Sequence, residues 1–163
     1  MIKRYYWNEA LEEETFQEFL KFQNELSEDD DFEVWLDCDG GSCTTAEMLK
    51  ALFESYPEDK FKLIACGRIC SAALDLFITV NCYKYIIPGT LGMVHTLSRT
   101  AKLDYKGKIK VTGTEDKIIN NKYPIVDKVE SMLPSILTAK EMKMYNDNQD
   151  VWLSTEEIGK FLT

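Results

Sequence analysis

Phe61-Lys62-Leu63-Ile64-Ala65-Cys66-Gly67-Arg68-Ile69-Cys70-Ser71-Ala72-Ala73-Leu74-Asp75-Leu76-Phe77-Ile78-Thr79-Val80 is the stretch on which the fold turns. Its first six residues form a short apolar run that reads as a core strand, and Gly67 is expected to close it. From Ser71 to Val80 the chain is apolar apart from Ser71, Asp75 and Thr79, and it reads as a buried helix. A strand passing to a helix through a few residues is one half of a βαβ unit.

The same grammar repeats on either side. Upstream, Phe32-Glu33-Val34-Trp35-Leu36-Asp37-Cys38 alternates apolar and acidic side chains, as a strand does. After Asp39-Gly40-Gly41-Ser42, the sequence Thr44-Thr45-Ala46-Glu47 has the form of a capping box. Met48, Leu49, Leu52 and Phe53 then make a helical stripe that ends before Pro57. Further back, Phe16, Phe19, Leu20 and Leu26 predict a helix from Glu14, and Lys3 to Trp7 a first strand. The run Glu28-Asp29-Asp30-Asp31 reads as a solvated acidic turn.

Downstream, Tyr83 to Ile87 and Leu91 to Leu97 read as extended, the second carrying His95. Lys102 to Lys122 is lysine-rich and is expected to form a small surface hairpin. Ile125, Val126, Val129, Met132, Leu133, Ile136 and Leu137 recur at helical spacing, with Pro134 expected to kink or divide that helix. Strands alternating with helices over short connections imply a mostly parallel sheet in a single α/β domain spanning 1–163.

Composition narrows the function classes. The 163 residues carry 19 basic and 28 acidic side chains, a formal net charge of −9, which disfavours nucleic acid as a partner. No apolar run is long enough for a membrane helix, and Met1 to Trp7 is not followed by the apolar core of a secretion signal. Five cysteines, an odd number, fit reduced thiols in a cytoplasmic protein better than a disulfide framework. The expectation is a cytoplasmic protein with neither nucleic acid nor membrane as partner. A single histidine, His95, excludes a histidine-rich metal site and leaves one obvious proton acceptor at neutral pH.

Several constellations can carry chemistry. Cys38 with Cys43 and Cys66 with Cys70 provide four thiols, but neither pair has the tight spacing of a zinc knuckle, and buried small hydrophobes describe them better. A cysteine nucleophile beside His95 is a second alternative. Gly40-Gly41 is either an ordinary turn or a place where backbone amides face a developing negative charge. Ser71, at a helix start, is either a cap or a nucleophile favoured by the positive helix end. In a parallel sheet the loops at the strands' carboxyl ends converge, so both glycine-containing turns and His95 can share one site.

Taken in order, Cys38-Asp39-Gly40-Gly41-Ser42, Gly67-Arg68-Ile69-Cys70-Ser71-Ala72 and Gly92-Met93-Val94-His95 resemble the Clp protease proteolytic subunit (ClpP) family. That family carries Ser-Pro-Gly-Gly, Gly-x-Ala-Ala/Ser-Ser-Met and Met-Ile-His-Gln-Pro in the same sequence. Gln149-Asp150-Val151-Trp152-Leu153-Ser154-Thr155-Glu156-Glu157 is similar to its Arg-Asp-Arg-Phe-Leu-Ser-Ala-x-Glu segment. Asp39 stands for the family's proline, Ala72 for its methionine, and Thr96-Leu97 for its Gln-Pro. A divergent, shortened relative, such as the ClpP-like proteases of phages, fits this pattern. The resemblance implies a ClpP/crotonase-like spiral of ββα units, with a divergent handle-like segment at about 101–147. It implies a serine peptidase with Ser71, His95 and Asp150 as catalytic triad, and the amides of Gly41 and Ala72 as oxyanion hole. No cofactor or metal is implied. The implied partners are a peptide or unfolded-protein substrate and further copies of the chain; docking to an unfoldase ATPase stays open. The alternative is a ClpP-like scaffold or binding module without activity.

Overall fold

The computed structural model describes residues 1–96 and 123–163. The chain begins with β1 (Ile2–Trp7), α1 (Glu13–Asn24), β2 (Asp31–Cys38), α2 (Cys43–Phe53) and β3 (Phe61–Cys70). It continues with α3 (Ala72–Thr79), β4 (Tyr83–Ile86) and β5 (Leu91–Val94). After the undescribed stretch come α4 (Pro124–Ile136), α5 (Ala139–Asn146), β6 (Val151–Leu153) and α6 (Thr155–Lys160). The lysine-rich hairpin expected at Lys102 to Lys122 lies outside the described residues, as does the first part of the handle-like segment.

The described strands form one sheet in the order β1-β2-β3-β5-β6, with β4 paired to β3 off that path. Every pairing is parallel except β5 with β6. The expectation of a mostly parallel α/β fold therefore holds. Strand β3 does not stop at Gly67. Its first half pairs with β4, Lys62 to Ala65 against Tyr83 to Ile86, and its second half with β5, Arg68 to Cys70 against Leu91 to Met93. Gly67 marks the changeover: its φ is +65°, and the Asp37 carboxylate fills the space a Cβ would take, 2.6 Å from it. Asp37 also accepts the Arg68 amide at 2.9 Å. The glycine bends the strand and lets it change partners rather than ending it.

Aromatic side chains bind α1 and α2 to the sheet. Phe19 of α1 meets Phe53 of α2 edge-on at 5.4 Å, and Phe53 stacks on Phe61 of β3 at 4.6 Å. All three are buried. Helix α3 packs between α2 and α4, and seven of its eight residues are buried, as its apolar sequence requires. Three details depart from expectation. The cap of α2 is Ser42, whose Oγ accepts the Thr45 amide at 3.2 Å, while Glu47 instead accepts the Ile125 amide of α4 at 2.9 Å. Met48 is exposed. Helix α4 runs through Pro134 and ends only at Ile136, because a proline in the last turn removes one hydrogen bond close to where the ladder ends anyway. Among the described residues, no helix is long and apolar enough to cross a membrane.

Candidate active site

The β3–α3 junction delivers Ser71 in an unusual backbone conformation, φ 53° and ψ −128°. Its amide donates to the Met93 carbonyl of β5 at 2.8 Å, which anchors the turn against the neighbouring strand. Its side chain caps no helix amide. Instead, Ser71 Oγ lies 2.6 Å from His95 Nε2. Of the two roles the sequence leaves open for Ser71, the side chain makes no cap bond and faces the imidazole. A sharp, strained strand-to-helix turn that projects a hydroxyl is the arrangement used to expose nucleophiles at the end of a sheet.

His95 follows directly on β5, and Asp150 directly precedes β6. The antiparallel register pairs Val94 with Val151, so the next pair outward is His95 and Asp150. Their Nδ1 and Oδ1 atoms are 3.8 Å apart, and the Asp150 side chain is 57% exposed. Thr96 Oγ1 donates to Asn148 Oδ1 at 2.6 Å and ties the two flanking segments together. Three side chains distant in sequence are thus aligned by the edge of one sheet.

Gly40 and Gly41 lie on the other flank of Ser71. A Cβ on Gly40 would meet the Cys70 carbonyl at 2.8 Å and Ser71 Cβ at 2.9 Å, so only glycine allows this approach. The Leu11 segment clamps the turn, its amide donating to Gly40 O and its carbonyl accepting from the Ser42 amide. The Gly41 amide has no partner among the described residues. Ala72, the first residue of α3, has an amide without an intrahelical acceptor. Beside the turn that carries Ser71, both amides are thus without a partner among the described residues. Asp39 pairs with Arg68 at 3.2 Å across the two turns.

The thiols are poorly suited to compete as nucleophiles. Burial pushes Cys38, Cys43 and Cys70 each up to about 11, which keeps them protonated at neutral pH. Among the described residues, no three histidine, cysteine or acidic side chains group as a metal site.

A further carboxylate belongs to this site. Asp75, one turn into α3, lines a small cavity with Ser71, His95, Glu130 of α4 and Tyr145 of α5. Tyr145 donates to Glu130 at 2.8 Å. Burial, with a smaller contribution from Glu130, pushes the Asp75 carboxyl up to about 8. A carboxylic acid in an otherwise apolar helix was the available signal; its neighbours on α4 and α5 depend on tertiary packing.

No protein-family model and no curated protein sequence matches the chain. Among solved structures, the chain is similar to a ClpP1 mutant from Listeria monocytogenes with a TM-score of 0.60. The superposition covers 97% of this chain and 86% of that one at 14% sequence identity. A likeness at that identity concerns the backbone, and at that level the chain has a ClpP-like fold.

Proposed function

We propose that the protein is a serine peptidase that hydrolyses peptide bonds through Ser71, His95 and Asp150. The observation that carries this reading is the 2.6 Å contact between Ser71 Oγ and His95 Nε2 on a ClpP-like fold. Ser71 attacks the scissile carbonyl while His95 Nε2 takes its proton and then delivers it to the leaving amine. Water, activated by the same imidazole, releases the acyl group. The Gly41 and Ala72 amides stabilise the oxyanion, helped by the positive end of α3. Asp150 holds the ring in the tautomer that leaves Nε2 free to accept. This last contact tightens on substrate binding, since catalytic hydrogen bonds in ligand-free sites are often long. The family resemblance adds that the chain works as a homo-oligomer on peptides or unfolded segments, which light scattering with and without peptide checks.

A second reading, an inactive ClpP-like scaffold, is favoured by the 3.8 Å separation and high exposure at Asp150. Labelling with a fluorophosphonate probe separates the two. The peptidase gives an adduct on Ser71 that disappears in His95→Ala. A folded protein that neither labels nor cleaves a peptide library is the scaffold.

A further inference from the structure

On the far side of α3 from the catalytic turn, a cleft of about 400 Å³ opens between α2, the end of α3, β4 and the start of α4. Three lysines reach it from three elements: Lys50 of α2, Lys84 of β4 and Lys128 of α4. One carboxylate, Glu54, answers them, paired with Lys50 at 2.6 Å. Lys128 makes no ion pair among the described residues. In a chain of net charge −9, a local excess of two positive charges in a concave site is an exception to the overall field.

We propose that this cleft binds a phosphate-bearing small molecule, its phosphate held by Lys84 and Lys128 with Lys50 beside them. Lys84 carries the argument furthest. Its stem is half-buried, and its ammonium is held at the Ile78 carbonyl, 2.8 Å away, at the end of α3. Burial lowers its pKa, and Lys128 and Lys50 act in the same direction. A cation held out of water near two others gains from an anion that neutralises them together, and a phosphate dianion matches the excess of two. Pro124 and Ile125 of the first turn of α4 also line the cleft; Pro124 has no N–H and the Ile125 amide donates to Glu47, so the anion's partners are the lysines. Ile78, Val80 and Ile125 give the apolar wall that an organic portion of the ligand needs.

The site is independent of the peptidase reading, and its test uses no activity. Titration calorimetry of the whole chain with pyrophosphate and with ADP, at fixed ionic strength and with sodium sulfate as the screening control, reads binding directly. Saturable binding of either phosphate probe, weakened at least about tenfold in both Lys84→Met and Lys128→Met, is expected. Both variants should keep or raise the unliganded Tm, because each removes repulsion. The proposal fails if neither probe saturates at millimolar concentration. It also fails if sulfate competes as well as either phosphate, or if both lysine variants bind as the parent does.

Discussion

Ser71 occupies positive φ without being glycine, and its surroundings hold it there: the Met93 carbonyl takes its amide, and Gly40 packs directly on its Cβ. Such a conformation costs on the order of 1–3 kcal/mol and persists only where neighbours impose it. Gly40 is therefore as tightly constrained as the serine. Gly40→Ala would set a methyl group 2.9 Å from Ser71 Cβ at a φ of +103°. It is expected to destabilise by roughly 2 kcal/mol and to abolish fluorophosphonate labelling, read by denaturant unfolding and mass spectrometry. At Asp150 the geometry is open and the side chain exposed, so fold and function separate. Asp150→Asn is expected to keep the parent Tm and to lower kcat/KM by at least about a hundredfold. Near-parent activity in that variant would assign the orienting carboxylate elsewhere. Because the Cys38, Cys43 and Cys70 thiols stay protonated at neutral pH, thiol-selective reagents should leave peptide cleavage intact.

At the scale of elements, strand and helix identity followed from apolar periodicity, whereas their ends depended on partners far away. The alternation in Phe32 to Cys38 and the apolar run from Phe61 marked β2 and β3 directly. Gly67 read as a stop because its local meaning is a turn; the Asp37 carboxylate beneath it and the arrival of β5 make it a bend. The start of α2 shows the same limit. Ser42 and Thr44 both suit a cap, and the choice is made by Leu11, whose carbonyl takes the Ser42 amide and fixes the turn. Ser42→Ala should cost about 1 kcal/mol in equilibrium unfolding and Thr44→Ala clearly less. Equal costs would return the cap to Thr44. Glu47 was drawn into the cap by sequence spacing, yet its bond to Ile125 needs α4 to be in place. That Gly40-Gly41, Ser71 and His95 share one site was legible because each sits at a strand end. The Asp150 position was legible only through the family resemblance, since nothing local says that β6 will pair with β5.

Across the whole molecule, the contact of α3 with α4 joins Asp75, Glu130 and Tyr145 beneath the Ser71–His95 pair. Asp75 has a folded pKa of about 8, raised well above the usual carboxylate range. Between those values the folded chain holds a proton that the unfolded chain has released. Stability is therefore full below the unfolded pKa of about 4 and declines as pH rises through the folded value. Thermal unfolding should show Tm falling from pH 5 to pH 9 at roughly constant ionic strength, and Asp75→Asn should flatten that slope and raise Tm at the alkaline end. A variant whose slope matches the parent's would place the proton on another group.

The antiparallel seam between β5 and β6 also sets a schedule. Ser71 and His95 leave the ribosome first; Asp150 emerges only after α4 and α5, seconds later at about 5–20 residues per second. Until β6 zips onto β5, a nascent chain holds a hydroxyl and an imidazole with no carboxylate opposite. Translation itself thus withholds the third side chain of the Ser71, His95 and Asp150 alignment until both α4 and α5 have been made.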